Sequence, residues 1–294
     1  VRSKSLKSVN QVLETDPSIL DGDSTVIQLI LDCSGDSSTQ VRDSALGLLG
    51  NCIGMRPSLE PSLTPKIIDR FQDAGVGVRK RAMKLARDIY LRNRNKGLRS
   101  AIANGLLRRV QDPDEGVRDL ARQMIEEIWF APFYANESTA AFETALTEHV
   151  ALIIQTVKTG TVTEILDKVF QIIVRPNNRS LEGPFTVCSR LVGIMFGLID
   201  NPDSEDASVL SGRDALQVLT IFAKADPKLF TLEQIRLLKP QLASFTGRDE
   251  LAAFRAVTVI YKRVLPQLPT VHSDFLAEVR LQLLKGIGKI SSRG

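Results

Sequence analysis

The chain has 294 residues, a formal net charge of +4 and 43% hydrophobic residues, with aromatics at only 5%. That hydrophobic share supports a folded chain with a large buried surface. Cys33, Cys52 and Cys188 lie in apolar helical settings without a pairing pattern. They exclude a disulfide scaffold and read as reduced core thiols of an intracellular protein. No apolar run reaches the roughly 18 residues of a membrane span, and no signal peptide is visible.

Residues 1 to 14 predict a helix closed by Asp16-Pro17, because proline disfavours helix at the residue before it. Thr25 to Cys33 is a short helix, Ser34 to Gln40 a turn, and Val41 to Met55 the next helix. Gly47, Gly50 and Gly54 inside it would each cost about 1 kcal/mol if exposed, so they read as points of close helix contact. Pro57, Pro61 and Pro65 mark a turn and a helix start, with a helix from Pro65 to Asp73. Val78 to Leu91 is helical, Arg92-Asn-Arg-Asn-Lys-Gly97 a cationic turn, and Leu98 to Gln111 and Val117 to Trp129 two further helices. Beyond Pro132 the expected helices are Thr139 to Lys158, Val162 to Val174 with Thr161 as its cap, Pro184 to Asp200, Val209 to Lys224, Leu232 to Phe245, Arg248 to Leu265 and Ser273 to Lys289. A turn at Pro176-Asn177-Asn178 and an acidic loop at Asn201-Pro-Asp-Ser-Glu-Asp206 separate some of them. No segment shows sustained strand alternation, so the chain reads as all-α with six to seven helical pairs.

A Val-Arg pair recurs at Val1-Arg2, Val41-Arg42, Val78-Arg79 and Val117-Arg118, at intervals of 40, 37 and 39 residues. Four residues after each Val stands Ser5, Ala45, Ala82 or Ala121, and five residues before the last three stands Asp36, Asp73 or Asp112. Self-similarity at this period with helical periodicity inside each unit predicts an α-solenoid of helix pairs. The Val is a core knob, the small residue admits a close neighbour, and the Asp caps or complements a helix N-terminus. The repeated Arg then bridges to such an Asp in its own or the next repeat, and reads as a structural ladder more readily than as a row of ligand contacts. The pattern Asp-x-x-x-x-Val-Arg-x-x-Ala resembles HEAT repeats. Residues 1–132 carry it clearly, and residues 133–294 read as degenerate helical pairs of one continuous solenoid. Val1 falls inside a repeat's second helix, so the chain is expected to be a piece of a longer solenoid.

The net charge hides its distribution. Arg79 to Arg109 holds eleven Lys/Arg and one acid, Asp88, which is +10 and leaves the remainder at −6. On the helix that begins this block, Val78, Ala82, Leu85, Ala86 and Ile89 share one face, and Lys80, Lys84 and Arg87 lie opposite. Such a stripe suits phosphate backbones, held by charge without sequence readout. Charge alone leaves three readings open: nucleic acid, an acidic protein segment and a solvated face. Candidate DNA-binding residues are Lys80, Arg81, Lys84 and Arg87 on the helix and Arg92, Arg94 and Lys96 on the turn. Other chemistry is missing from the sequence. His149 and His272 have no neighbours at metal-ligand spacing, Gly75-Val-Gly77 lacks a third glycine, and Glu126-Glu127 reads as a solvated helix surface. No cofactor, metal or catalytic group is expected.

Val41-Arg-Asp-Ser-Ala-Leu-Gly-Leu-Leu-Gly50, Gly77-Val-Arg-Lys-Arg-Ala-Met-Lys and Ile128-Trp-Phe-Ala-Pro132, with the segment from Val1 to Leu20, resemble the HEAT domain of the large cohesin-loader subunit, the Nipped-B/Mis4 (adherin) family. The resemblance is close over residues 1–132 and rests on order and helical character beyond. It implies a curved, hook-shaped solenoid that is not itself an enzyme and acts on chromatin in the nucleus. It implies binding to cohesin through the kleisin and the SMC ATPase heads, clamping of double-stranded DNA against the heads, and stimulation of ATP hydrolysis and loading. A smaller loader subunit would bind an N-terminal region that this chain lacks. A HEAT adaptor that binds only protein, such as a transport receptor or a phosphatase-type scaffold, is the alternative.

Overall fold

The computed structural model describes residues 2–22, 24–135, 139–174, 182–200, 212–243, 247–268 and 272–291. All regular structure among them is helical. The expected turn at Pro176-Asn177-Asn178 and the acidic loop at 201–206 lie outside the described residues. The chain forms two compact units, Val1–Ile128 and Trp129–Gly294.

In the first unit the helices are α1 (Arg2–Thr15), the single turn α2 (Ile19–Gly22), α3 (Ser24–Ser34), α4 (Thr39–Met55), α5 (Glu60–Asp69), α6 (Val76–Arg92), α7 (Lys96–Arg109) and α8 (Glu115–Trp129), whose last residue opens the second unit. First helices pack on second helices, α3 on α4 and α5 on α6, and the second helices α1, α4 and α6 pack side by side. The repeat positions explain this stacking. Val41, Val78 and Val117 are buried, and Ala45, Ala82 and Ala121 are completely inaccessible, so these repeat positions lie within the close-packed interior. On α6 the buried surface is wider than a single stripe. Met83 and Tyr90 join Val78, Ala82, Ala86 and Ile89 in the core, because α6 meets α4, α5 and α7, while Leu85 is only half-buried.

Several local expectations change. Helix α5 starts at Glu60 rather than Pro65. Pro61 sits in its first turn, where the missing N–H has no partner to lose, and the helix runs on through Pro65. Helix α7 starts at Lys96, with the Asn95 side chain accepting the Leu98 N–H at 3.0 Å, so the cationic turn shortens to Asn93–Asn95. Of the three glycines of α4, Gly50 is the one whose site is crowded by a neighbour. A Cβ there would stand 3.1 Å from the Leu85 side chain, whereas one at Gly54 meets nothing within 4 Å.

The second unit contains α9 (Ala140–Gly160), α10 (Thr163–Ile173), α11 (Glu182–Asp200), α12 (Gly212–Ala225), α13 (Leu232–Leu237), α14 (Arg248–Val264) and α15 (Ser273–Ser291). Its centre is α12, packed on α9, α10, α11 and α14 and buried from Ala215 through Ala223 at all positions but Gln217. The expected helix from Leu232 to Phe245 breaks after Leu237 into a 3-10 turn over Lys239–Leu242, where Pro240 cannot donate to the helical ladder. Over Gly183–Asp200, α11 is long and apolar enough to cross a membrane by length and composition, which corrects the expectation that no run reaches that length. The one basic residue in that run is Arg190, which pairs with Glu143 and stacks on the Phe142 ring at 4.7 Å. Val187, Cys188, Leu191, Val192 and Met195 are buried and α11 packs on α12, so it is a core helix.

Thr161 is the one non-glycine residue with positive φ among the described residues. At φ 50° and ψ 34° it closes the C-terminus of α9 and does not cap α10, whose N-cap is Val162. A left-handed L-residue costs about 1–2 kcal/mol, which glycine avoids. Thr161→Gly is expected to stabilise the second unit by about 1 kcal/mol in urea melts. A loss of stability would show that the hydroxyl, which donates to the Gly160 carbonyl at 2.7 Å, outweighs the strain.

Candidate nucleic-acid interface

The site is defined by which cations of the basic block lack a counter-charge. The repeated arginines form a ladder. Arg2 pairs with Asp36, Arg42 grips Asp73 through Nε and Nη2, both at 2.7 Å, and Arg79 Nη2 donates to Asp112 Oδ1 at 3.0 Å. Each acid belongs to the following repeat's turn. Each also accepts a backbone N–H two residues on, from Ser38, Gly75 and Asp114, which are the residues that precede α4, α6 and α8. The same arginines clamp their own turns. Arg42 donates to the carbonyls of Asp36 and Ser37, Arg79 to Asp73 and Ala74, and Arg118 to Asp112 and Pro113.

A second set of arginines repeats one step away. Arg70 and Arg109, each three residues before the turn aspartate, reach back to the Ser34 and Phe71 carbonyls of the preceding repeat. The Ser38 N–H and Arg2 hold the Asp36 carboxyl below its ordinary range. At Asp73 burial pushes the carboxyl up, but Arg42 and the Gly75 N–H outweigh it and the net shift is downward. The inter-repeat turns carry their own rungs. Arg56 forks onto Asp21 at 2.6 and 2.7 Å, and Arg92 pairs with the buried Glu60, which also accepts from Asn93 at 2.6 Å.

The seven candidate residues therefore divide. Arg81 pairs with Asp43 at 2.5 Å, Arg87 with Asp88 and Glu127 at 2.7 and 2.9 Å, and Arg92 with Glu60. Lys80 stands 3.8 Å from Asp114, a loose pair. Elsewhere in the block Arg99 stacks on the Tyr90 ring at 4.3 Å, and Arg79 and Arg109 belong to the ladder. Lys84, Arg94 and Lys96 are exposed and have no acidic partner among the described residues. Lys84 overlooks a groove of about 450 Å³ between α4 and α6, floored by Gly47 and Gly50. An adjoining groove of about 580 Å³ between α1 and α4 is edged by Lys7, a cation outside the predicted set. Lys7 follows Val1 by the same six residues that separate Lys84 from Val78, so the repeat register could have located it. Arg94 and Lys96 flank the N-terminus of α7, whose first turn contains no acid, so its backbone dipole adds positive potential beside them. Among the described residues no group of three His, Cys, Asp or Glu is arranged to hold a metal ion.

A family profile described as "Sister chromatid cohesion protein PDS5 protein" matches residues 3–151. The chain is 27% identical over 304 residues to the sister chromatid cohesion protein mis4 of Schizosaccharomyces pombe, a match that takes in 98% of this chain and 19% of mis4. It is 27% identical over 302 residues to the Nipped-B-like protein of Homo sapiens, covering 98% of this chain and 10% of that protein. Among solved structures, the C-terminal fragment of the cohesin loader SCC2 of Chaetomium thermophilum superposes with a TM-score of 0.87 at 60% identity, over 97% of this chain and 20% of that fragment. The chain thus spans a fifth or less of each of these relatives, and its HEAT-repeat solenoid fold is the one found in that fragment.

Proposed function

The chain belongs to the cohesin-loader family of sister chromatid cohesion proteins, and from that premise we propose that it is a non-catalytic scaffold of cohesin loading. In this reading it binds double-stranded DNA and cohesin, the latter through the kleisin and the SMC heads, and stimulates the cohesin ATPase and loading onto chromatin in the nucleus. The observation that carries the DNA part is that Lys84, Arg94 and Lys96 have no acidic partner among the described residues. An unpaired exposed cation pairs with a backbone phosphate at little desolvation cost, and each contact releases a condensed counterion. Lys80, Arg81, Arg87 and Arg92 remain in the proposed set with smaller shares, since their acids must be displaced or screened before they engage a phosphate. That same pairing is what favours the alternative, an adaptor for protein alone.

Duplex DNA binding across a salt series separates the two readings. Wild type should weaken steeply as salt rises. Lys84→Glu/Arg94→Glu/Lys96→Glu should lose affinity and flatten the log–log slope by roughly 2–3. Absence of binding at low salt would move the basic surface to a protein partner, and an unchanged triple variant would move DNA elsewhere on the chain.

A further inference from the structure

The second unit has its own groove, of about 640 Å³, over α12 between the end of α9 and α14. Its floor is small and apolar, formed by Ala252, Ala256 and Val259 with the methyl-bearing Thr220. Two ion pairs rim it, Lys158 with Asp214 at 2.8 Å and Arg213 with Asp249 at 2.6 Å. Arg255 stands apart. It is exposed, lines the groove, and has no acidic partner among the described residues. The positions one turn away on α14 are Leu251, Ala252, Thr258 and Val259, none of them a carboxylate, and Asp249 on the same helix is paired with Arg213. The lining thus carries one uncompensated positive charge above an apolar floor.

The geometry points to this groove as a docking site for a short linear protein segment that presents an Asp or Glu beside an aliphatic or aromatic side chain. The guanidinium of Arg255 offers a planar fork that a carboxylate fills with two parallel hydrogen bonds. The alanine floor leaves room for the adjoining apolar residue, whose burial supplies the non-electrostatic part of the affinity. A nucleic-acid backbone fits less well, because it needs a run of unpaired cations, and Lys158 and Arg213 are already neutralised. The site is separate from the basic surface of the first unit and does not rest on the DNA reading.

The test pans a phage library of random short peptides on the full chain, then measures the enriched peptides by fluorescence anisotropy. Enriched peptides should carry an acid next to an apolar residue. Arg255→Glu should weaken them at least roughly tenfold, Arg255→Lys less because it keeps the charge without the fork, and replacement of the peptide acid by its amide should act like Arg255→Glu. Ala256→Trp, which fills the floor, should also abolish binding, and Lys84→Glu should leave it unchanged. The exposed position of Arg255 keeps the fold intact in its variants, which a melting curve checks. The inference fails if no peptide is enriched, if the enriched peptides lack an acid, if Arg255→Glu binds them as wild type does, or if Arg255→Glu instead removes duplex DNA binding.

Discussion

Asp112→Ala lowers the stability of the first unit by about 3–5 kcal/mol, a large part of the roughly 5–15 kcal/mol that holds a domain folded. The Asp112 side chain is wholly inaccessible. One oxygen accepts from Arg79 and from the Asp114 N–H, each at 3.0 Å, and the other accepts from Arg109 at 3.1 Å. Removing the carboxylate strands a guanidinium whose side chain is only 9% exposed and opens the turn before α8. Asp112→Asn keeps an acceptor for the turn but loses the charge, and should cost less. Arg79→Met/Asp112→Leu removes both charges together and should recover much of the loss, since a buried pair is often replaceable by packed apolar groups. Denaturant unfolding gives the magnitude, and hydrogen exchange assigns it, with protection falling first in α6 and α7. A loss below about 1 kcal/mol for Asp112→Ala would mean that the ladder accompanies the stacking without stabilising it.

Trp129→Ala should destabilise the second unit by about 3–5 kcal/mol through a cavity in its aromatic core. Trp129 is completely buried and meets His149 and Phe170 edge-on, both with ring centroids at 6.2 Å. Phe170 in turn contacts Phe130 at 5.5 Å and Phe222 at 4.9 Å, so the cluster links Trp129 and Phe130 to α10 and to the central α12 within this unit. Trp129→Phe keeps an aromatic ring in the site and should lose less. Circular dichroism melts of the two variants check the order, and equal stability of Trp129→Ala and wild type would show that the site collapses without cost. Because Trp129 is the one tryptophan of the sequence, wild-type fluorescence should report unfolding of this core directly.

Much of the framework was legible in local spacing. The Val and small-residue positions follow from helical periodicity, and the Asp and Arg positions recur with them, so the ladder Arg42–Asp73 and Arg79–Asp112 could be anticipated as a structural device. The helix starts at Glu60 and Lys96 are not legible in the sequence, because proline in a first turn and asparagine as an N-cap look like loop chemistry. Thr161 misleads for a similar reason: a threonine before a helix reads as an N-cap, and nothing in the sequence reveals its left-handed backbone.

By itself the sequence determined the helical-repeat architecture, the resemblance to cohesin loaders and the place of the basic block, since each is written in residues less than one repeat apart or in the period itself. Only the tertiary structure decided which of those cations are neutralised. Arg81 meets an acid 38 residues away, Arg87 one 40 away and Arg92 one 32 away, and such partners come together only when successive repeats stack. The groove beside Arg255 is likewise invisible in the chain, because its floor and rim come from three helices and carry no motif. Charge counts are additive along a sequence, but the potential a ligand meets depends on which opposite charges the fold brings within reach.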